Sequence, residues 1–366
     1  MKKVIFVSRC AWTLYNFRKD FMLYFLTKGY KVYALGGKEG DYGEKLKKLD
    51  IEYIEIPVSK GFSLFGDLRL LFFLILLYKK LEPDIILHYT IKPIIYGTLA
   101  AAFVKFEGVY NFITGLGYLF MRKKSFFKTI GEFLYKISLS FSRKVFFYNS
   151  SDLLYFISHN IVFSLISRIV PGSGINMKIF EGPKISNSES IKVAMVSRFL
   201  IEKGVREFVE MAKNIKNIMN RVDFIMIGGP DERNPSTVRE KEIKTWQNQG
   251  IIVKDRIDNV PDFLRSIDIL VHPTYYKEGI PRILREGSAS ALPVVTTDIP
   301  GCREVVSNGY TGFLVPPKDI NNLTKKTLIL LLNPSFRKKM GKRGKKSIKV
   351  RFSNRKVFRV ILNYLF

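Results

Sequence analysis

The stretch Glu278-Gly-Ile-Pro-Arg-Ile-Leu-Arg-Glu286 lies between two short apolar runs, Asp268–His272 and Pro293–Thr297. The two runs are typical of buried strands. The stretch between them predicts a helix that begins near Pro281, because proline is favoured at the first helical position. Strand, helix and strand in this order indicate a parallel sheet with crossover helices. The segment therefore predicts an α/β fold.

The start of this helix is a predicted anion site. If the helix begins at Pro281, the backbone amides of Gly279 and Ile280 project from its positive end. Such an end binds phosphate readily. We therefore expect these three residues to lie against a negatively charged ligand.

Two carboxylates flank the predicted anion site. Glu278 falls in the loop before the helix, and Glu286 lies about a turn and a half inside it, at about 3.6 residues per turn, so both can face one cleft. Two acids beside an anion site favour a ligand with hydroxyls, such as a sugar or a nucleotide ribose. The spacing alone leaves the alternative that both acids are solvated or paired with Arg282 and Arg285.

Strand-like and helical patterns alternate along the rest of the chain. In the first half, the predicted strands are Val4–Ser8, Val32–Leu35, Ile51–Ile56, Asp84–Tyr89, Val109–Ile113 and Val145–Tyr148, and the predicted helices lie near Asn16–Lys28, Tyr42–Leu49, Leu68–Leu81, Pro93–Val104 and Phe126–Phe141. The second half adds strands at Lys192–Ser197, Asp223–Ile227 and Ile251–Val253 and a helix over Val205–Ile218. The strands carry few alternating polar positions, as expected when both faces of a sheet are covered.

A domain joint is predicted where glycine and proline accumulate, in 168–176, before a weakly patterned polar stretch over 182–190. The fold class is α/β, with two doubly wound, Rossmann-like domains. We assign the N-terminal domain to residues 1–175 and the C-terminal domain to 185–345. Residues 346–366 are predicted to form a basic C-terminal helix that packs back toward the N-terminal domain or the membrane.

Composition narrows the class of protein. Cys10 and Cys302 match no metal spacing and no disulfide framework, which predicts a reducing cytosol and no metal site. Met1-Lys-Lys leads straight into an apolar run that is too short for a signal peptide. The longest apolar run, Leu70–Tyr78, is shorter than the roughly 20 residues that span a bilayer. We therefore expect a cytoplasmic protein that does not cross a membrane.

The formal net charge of +28 predicts an anionic partner. No Asp or Glu follows Asp319, while Lys and Arg crowd the chain from residue 337 onward. Aromatic and aliphatic residues interleave with the basic ones in 121–128 and 337–366. This mixture favours an anionic membrane surface over nucleic acid as the partner of the two segments. A solvated basic surface is the alternative.

Two cations precede the first helix of the second half. Arg198 follows a predicted strand and Lys203 comes just before the helix that begins near Val205. A guanidinium fork and a mobile ammonium suit a diphosphate. The ends of parallel strands share one rim of a sheet, so these cations are expected near the 278–286 stretch. Ordinary surface cations are the alternative.

Five motifs follow one another through the second half. They are Ser-Arg-Phe-x-x-x-Lys-Gly at 197–204, Gly-Gly-Pro-Asp-Glu at 228–232, Glu-x-Ile-Pro-x-x-Leu-x-Glu at 278–286, Pro-Val-Val-Thr-Thr-Asp-Ile-Pro-Gly-Cys-Arg-Glu at 293–304 and Asn-Gly-Tyr-Thr-Gly-Phe-Leu-Val-Pro-Pro at 308–317. Together they resemble retaining glycosyltransferase family 4. The resemblance implies the GT-B fold, in which two Rossmann-like domains face a central cleft.

The resemblance also implies roles for the site residues. Arg198 and Lys203 would bind the donor's pyrophosphate, Glu286 would hold the nucleotide ribose, and Glu278 would contact the donor sugar with the backbone of 279–281 nearby. Transfer with retention is usually proposed for this family without a protein nucleophile or metal. The candidate catalytic residues are therefore Arg198, Lys203 and Glu278. No cofactor is expected, since the UDP-sugar donor is a substrate.

In the first half, Tyr89–Pro93 and Asn111–Tyr118 resemble a bacterial branch that builds surface polysaccharides and glycans on undecaprenyl diphosphate, including N-acetylgalactosaminyltransferases. Gly115 and Gly117 are candidates for bringing backbone amides to a donor or acceptor phosphate, with an ordinary turn as the alternative. The glycine-rich loop that many family members carry after the first strand is absent, and Ser8–Phe17 stands there instead.

Three histidines occur in the chain. The functional histidine of some family members aligns with Tyr89, and an offset of one residue on a strand turns a side chain to the opposite face. His88 is therefore predicted to be a core or rim histidine. His159 and His272 have no partners at metal-ligand spacing.

The sequence thus predicts a hexosyltransferase that moves a hexosyl or N-acetylhexosaminyl group from a UDP-sugar to a lipid-diphosphate-linked sugar. It would act in bacterial cell-surface polysaccharide or glycan biosynthesis, at the inner face of the plasma membrane. One alternative is a nucleotide-sugar epimerase or a phosphorylase on the same fold. Another is a basic nucleic-acid-binding protein, which charge alone supports.

Overall fold

The computed structural model describes residues 1–59, 61–117, 120, 126–182, 190–232 and 234–366. The chain divides into two compact units. The first consists of Met1–Ser173 together with Val357–Phe366, and the second of Gly174–Lys356. Each unit is built on one parallel sheet with helices between its strands, as the alternating sequence pattern predicts.

The described strands of the first unit form a sheet in the order β3-β2-β1-β4-β5-β6-β7. Their bounds are β1 Lys3–Cys10, β2 Lys31–Gly37, β3 Glu52–Glu55, β4 Ile85–Tyr89, β5 Val109–Ile113, β6 Lys144–Phe147 and β7 Ser167–Ile169. Each residue of β4 and β5 is buried. Such central strands are covered on both faces, which explains why they are apolar apart from the buried residues His88 and Asn111.

Helices connect these strands and cover both faces of the sheet. They are α1 Ala11–Thr27, α2 Tyr42–Lys47, α3 Leu64–Leu81, α4 Thr98–Phe103 with a π-helical turn Pro93–Gly97 before it, α5 Phe126–Leu139 and α6 Ser150–Ser158. Connections between parallel strands are right-handed. The chain steps in one direction along the sheet from β1 to β3 and in the other direction from β3 to β6. Helices α1 and α2 therefore lie on one face of the sheet, and α3, α4 and α5 lie on the other.

The second unit has a parallel sheet in the order β10-β9-β8-β11-β12-β13. Its strands are β8 Ile191–Val196, β9 Val222–Ile227, β10 Ile252–Lys254, β11 Ile269–His272, β12 Val294–Thr297 and β13 Gly312–Val315, and its helices are α7 Val205–Lys216, α8 Glu240–Asn248, α9 Val260–Arg265, α10 Arg282–Ala289, α11 Pro300–Arg303, α12 Ile320–Leu332 and α13 Pro334–Arg351. A core of fully buried residues that includes Met195, Phe208, Phe224 and Val271 fills the space between sheet and helices.

The prediction of one helix over 346–366 is wrong. Helix α13 continues to Arg351, and α14 begins at Asn354 and ends at Leu365. Between them, the backbone of Ile175 donates to Phe352 O at 2.8 Å and accepts from Asn354 N at 3.0 Å. This strand-like bridge takes the carbonyl of Phe352 and the amide of Asn354 out of helical hydrogen bonding and separates the two helices.

The apolar side of α14 is buried in the first unit. The ring of Phe358 packs against that of Phe21 in α1, with centroids 4.7 Å apart and planes tilted by 32°, and Tyr110 donates its hydroxyl proton to Leu365 O at 3.1 Å. Val357 and Ile361 are also buried. These apolar side chains of the tail therefore serve as core rather than as a membrane contact, while Phe366 is 72% exposed, and membrane binding by the basic residues of 337–366 stays a prediction.

Within the described residues, no helix is both long enough and apolar enough to cross a membrane. The basic segment 121–128, which the sequence also assigned to a membrane surface, lies outside the described residues up to Ser125. Its last residues, Phe126 and Phe127, are exposed at the start of α5.

Candidate active site in the second unit

The predicted site residues of the second unit follow strands that are neighbours in its sheet. Strand order reverses between β8 and β11, because β9 and β10 lie on one side of β8 while β11, β12 and β13 lie on the other. Ligands of doubly wound sheets bind outside the carboxyl ends of strands at such a reversal. The segments after β8 and β11, which carry Lys203 and Glu278, both begin there.

Lys203 and Glu278 are in direct contact. Lys203 Nζ donates to Glu278 Oε1 at 2.7 Å, although 74 residues separate them in the chain. The side chain of Lys203 is 9% exposed and that of Glu278 is 23% exposed. Lys203 Nζ also lies 5.1 Å from the ring centroid of Tyr276. Two of the three predicted catalytic residues thus form one half-buried ion pair.

Hydrogen bonds to Glu202 hold the segment that carries Lys203 against the loop between β11 and Glu278. Tyr275 N donates to Glu202 O at 2.8 Å, and Thr274 Oγ1 donates to the same carbonyl at 3.2 Å. Gly204 has φ +80°, and a Cβ there would lie 2.1 Å from Pro273 O. Only glycine permits this close approach in this backbone conformation. The Lys203-Gly204 step of the motif therefore brings the ammonium group to Glu278.

His272, the last residue of β11, lies beside the ion pair. Its Nε2 is 3.6 Å from Glu278 Oε1, and the residue is only 1% exposed. Within the described residues, neither of its ring nitrogens has a hydrogen-bond partner. Burial lowers the pKa of His272, and the positive charge of Lys203 lowers it further, against the opposing effect of Glu278. His272 is therefore a neutral imidazole at neutral pH.

Glu278 remains ionised in this setting. Burial by itself raises the pKa of the Glu278 carboxyl, but the charge of Lys203 and the contact with His272 outweigh it and bring the pKa down to about 2. An opposite charge within about 4 to 6 Å favours the charged form of a carboxyl. Glu278 is thus a permanent anion whose oxygens can accept hydrogen bonds.

Helix α10 starts one residue later than predicted. It runs from Arg282 to Ala289, and Pro281 is its N-cap, with φ −59° and ψ 123°. The amides of the first helical turn consequently belong to residues after Pro281 and not to Gly279 and Ile280. Gly279 instead passes close to α11, where a Cβ on Gly301 would lie 2.4 Å from Gly279 O. The proline sets the turn before the helix rather than its first residue.

Glu286 lies within α10 and is paired with a neighbour on the same helix. Arg282 Nε donates to Glu286 Oε1 at 2.5 Å, and the Glu286 side chain is 11% exposed. The alternative that the acids pair with local arginines is therefore true of Glu286. It is not true of Glu278, whose partner comes from another part of the chain.

Arg198 follows β8 and is paired on the surface. Its Nη1 donates to Asp231 Oδ2 at 2.6 Å, and the Arg198 side chain is 46% exposed. Asp231 belongs to the Gly-Gly-Pro-Asp-Glu motif after β9, so this pair joins two of the five motifs. Each of the three cations Arg198, Lys203 and Arg282 has a carboxylate partner.

The predicted residues of the first unit have different settings. Gly115 and Gly117 follow β5 with φ +135° and +69°, conformations that favour glycine, and their predicted contact with a phosphate stays a prediction. His88 is fully buried in β4, where Nε2 is 2.8 Å from the Tyr78 hydroxyl and Nδ1 is 3.1 Å from Asn111 Oδ1. Burial lowers the pKa of His88 to about 3. The prediction of a core histidine is confirmed.

Sequence reasoning missed the position of His272 beside Glu278. The signal was available, since His272 ends β11 immediately before the Pro-Thr-Tyr segment that leads to Glu278. A search for metal-ligand spacing alone does not detect this role of His272. In the part of the chain that the structure describes, no group of three or more His, Cys, Asp or Glu residues has a geometry that could hold a metal ion.

Two family models match consecutive parts of the chain. The model of Glycosyl transferases group 1 matches residues 178–347, and the Glycosyl transferase 4-like model matches residues 3–149. The first of these contains every predicted site residue of the second unit. Together the two models span most of the chain.

Relatives with known names support the same assignment. The chain is 26% identical over 356 residues to the N,N'-diacetylbacillosaminyl-diphospho-undecaprenol alpha-1,3-N-acetylgalactosaminyltransferase of Campylobacter jejuni. The matched region covers 93% of this chain and 92% of that protein. The chain is 24% identical over 278 residues to the UDP-Gal:alpha-D-GlcNAc-diphosphoundecaprenol alpha-1,3-galactosyltransferase of Escherichia coli, covering 72% of this chain and 70% of that one.

A solved structure has the same fold. Anabaena HepE in complex with UDP and glucose superposes with a TM-score of 0.78 over 100% of this chain and 99% of that chain, at 15% identity. The fold class predicted from the sequence, a GT-B architecture of two Rossmann-like units, is confirmed. The chain is a glycosyltransferase and belongs to the family described by the group 1 and 4-like models.

Proposed function

We propose that this glycosyltransferase moves a hexosyl or N-acetylhexosaminyl group, with retention, from a UDP-sugar to a lipid-diphosphate-linked sugar. The observation that carries the proposal is the Lys203–Glu278 pair at the strand-order reversal of the second unit. It sets a buried cation next to a permanent anion, one suited to a diphosphate and the other to sugar hydroxyls. The names of the Campylobacter and Escherichia relatives, both acting on undecaprenol diphosphates, support the acceptor class.

In the proposed reaction, the bond between the donor's anomeric carbon and the diphosphate oxygen breaks as the acceptor hydroxyl bonds to the same carbon from the same face. The hydroxyl proton leaves with the diphosphate, so no protein nucleophile and no metal ion is needed. Lys203 and Arg198 would stabilise the charge that develops on the leaving group. Electrostatic stabilisation of this kind is commonly the largest contribution to catalysis.

The acids would bind the uncharged parts of the donor. Glu286 would accept hydrogen bonds from the ribose hydroxyls, and Glu278 from the transferred sugar. Both are ionic partners of cations in the structure, so donor binding would place a diphosphate beside Lys203 as a second anion. The UDP in the HepE complex and the UDP-Gal in the name of the Escherichia relative support uridine as the base.

We also propose that the enzyme works in bacterial cell-surface polysaccharide or glycan assembly, in the cytoplasm and against the inner face of the plasma membrane. The support is the acceptor class together with the exposed basic residues of α13, which include Lys338, Lys339 and Lys342. An anionic leaflet attracts such a segment through its surface potential.

The test is a panel of UDP-sugars offered with lipid-diphosphate sugar acceptors, with products read by mass. One donor should give a product heavier by one hexosyl or N-acetylhexosaminyl residue, together with stoichiometric UDP. Release of UDP that does not depend on the acceptor, or interconversion of the donor sugar, would instead indicate the epimerase alternative. Binding to nucleic acid in a gel shift at moderate salt, without any sugar transfer, would instead indicate a nucleic-acid-binding protein.

The ribose assignment has its own test. E286Q should weaken UDP binding by at least about tenfold, because a charged hydrogen bond contributes roughly 1.5 to 3 kcal/mol. Glu240, an exposed acid at the start of α8, offers the matched control E240Q, which should bind UDP as the wild type does. Equal affinities of E286Q and wild type in a calorimetric titration would reject the role of Glu286.

A further inference from the structure

Helix α3 is apolar on both of its faces. Leu70, Leu74 and Tyr78 point into the core of the first unit. On the opposite side, Phe65 is 86% exposed, Phe72 is 61% exposed and Leu76 is 69% exposed. A helix that is apolar all round belongs in a fully apolar environment, yet one face of α3 has no cover within the described chain.

A second exposed stripe lies on α5, in the same helical layer. Phe126 is 76% exposed and Phe133 is 61% exposed, at a spacing of seven residues that puts both on one side of the helix. The segment just before α3 lies near the start of α5, where the rings of Phe62 and Phe127 are 5.8 Å apart. We call the side chains of Phe62, Phe65, Phe72, Leu76, Phe126 and Phe133 the α3–α5 surface.

The charges on this surface have one sign. The exposed charged residues of α3 are Arg69, Lys79 and Lys80, and that of α5 is Lys136, in two helices that the structure describes throughout. The acids of both helices are held by local cations. Asp67 is buried and bonded to Lys92, and Glu132 is 3.7 Å from Lys128. What the two helices present to solvent is therefore phenylalanine and leucine with basic residues, while Glu82, the C-cap of α3, is an exposed acid at the end of this face.

We propose that the α3–α5 surface inserts into the interfacial region of an anionic lipid bilayer. The apolar side chains would reach the boundary between headgroups and acyl chains, and the four cations would meet lipid phosphates, as in amphipathic helices that lie in the membrane plane. A second copy of this chain fits less well, because any face-to-face pairing would bring basic residues mainly against basic residues.

The α3–α5 surface would be the part of the enzyme that contacts the membrane. The identity of that membrane rests on the proposed function. This contact surface also differs from the expectation drawn from the sequence, which assigned docking to 121–128 and 337–366. Val357, Phe358, Ile361 and Leu365 of the tail are buried. The inference assigns insertion to the exposed aromatic residues of the α3–α5 surface instead.

Vesicle co-sedimentation of the full chain tests the proposal, using phosphatidylcholine alone and phosphatidylcholine mixed with phosphatidylglycerol. The variant F65Q/F72Q should bind the anionic vesicles at least tenfold more weakly than wild type. The matched control is F163Q/L165Q, which removes two residues that are 71% and 78% exposed on another part of the same unit. It should bind as wild type does. Equal binding by F65Q/F72Q and wild type would overturn the proposal.

A tryptophan introduced by F72W gives a second readout that does not depend on activity. Its emission should shift to the blue on addition of anionic vesicles, and lipids brominated on their acyl chains should quench it. The tryptophan of F163W should respond to neither. If F72W is not quenched while F65Q/F72Q changes the oligomeric state in analytical ultracentrifugation, the surface contacts a second copy and the bilayer proposal is wrong.

Failure of this inference can be separated from failure of the proposed function. With a short-chain, water-soluble lipid-diphosphate acceptor, F65Q/F72Q should transfer sugar at the wild-type rate, because neither residue lies in the second unit. Absence of transfer by wild type itself would count against the proposed function. Normal transfer together with unchanged vesicle binding by the variant would count against the bilayer surface alone.

Discussion

The ion pair of Lys203 and Glu278 should make a measurable contribution to the stability of the second unit at neutral pH. The pKa of the Glu278 carboxyl falls from an ordinary 4.5 to about 2. At about 1.4 kcal/mol per pKa unit, this fall stabilises the folded state by about 3 kcal/mol. The folded-state pKa lies below the unfolded one, so the stabilisation is complete above pH 4.5 and is lost as the pH falls through 2.

K203M removes the cation and leaves Glu278 half-buried without its partner. We expect this variant to lose about 2 to 3 kcal/mol of unfolding free energy at pH 7, since removal of one partner of a buried pair leaves an uncompensated charge. The loss should be much smaller in an E278Q background, where no anion remains. The pair of Lys213 and Glu210 on α7 is the control, because it has the same 2.7 Å separation but is exposed. K213M should cost below about 0.5 kcal/mol.

Urea unfolding followed by tryptophan fluorescence measures these differences. The chain has two tryptophans, Trp12 in the first unit and Trp246 in the core of the second. In a W12F background, Trp246 reports on the second unit alone. The reasoning is refuted if K203M costs the same free energy with Glu278 and with E278Q, since the coupling between the two side chains would then be zero.

Two further predictions concern the backbone at the site and the buried histidine. G204A should destabilise the second unit by at least 2 kcal/mol, because at φ +80° its Cβ would lie 2.1 Å from Pro273 O. The control is G309A, which has a similar φ of +74° but open space around it. It should cost only about 1 kcal/mol in the same unfolding experiment. The pKa of His88 is about 3 in the folded state and 6.5 when unfolded, so the unfolded chain alone binds this proton between those values. Wild type should therefore lose about 2 kcal/mol between pH 7 and pH 5 through His88, and H88Q should not; equal pH slopes by Trp12 fluorescence would contradict the buried neutral state.

Much of the fold could be predicted because parallel strands buried on both faces are continuous apolar runs. The prediction for β5, Val109–Ile113, has the bounds found in the structure, and β11 and β12 begin one residue later than predicted. The short strands β7 and β13 were not predicted. Ser167–Ile169 is a three-residue strand with an exposed end, and Gly312–Val315 lies within a motif that was interpreted for its family resemblance alone.

The rim of the site could also be predicted, but its pairings could not. Strand ends of a parallel sheet share one edge, so the topology alone brings Lys203 near Glu278. Whether two such side chains touch depends on packing between distant segments, here the approach of Gly204 to Pro273. The helix start was missed by one residue because proline also suits the turn before a helix, where its fixed φ is equally compatible.

The ion pairs of the three site cations change how a diphosphate would be bound in the proposed function. Arg198, Lys203 and Arg282 are each matched by a carboxylate, so these three pairs add no net charge to the site. Affinity for a dianionic leaving group must then come from exchange of partners, in which phosphate oxygens replace Glu278 as the ligand of Lys203. The pKa of about 2 depends on the charge of Lys203, so the exchange raises the pKa of the Glu278 carboxyl above that value. Glu278 at the same time loses its ionic partner, which leaves its oxygens available to accept hydrogen bonds from sugar hydroxyls when Lys203 turns to the diphosphate.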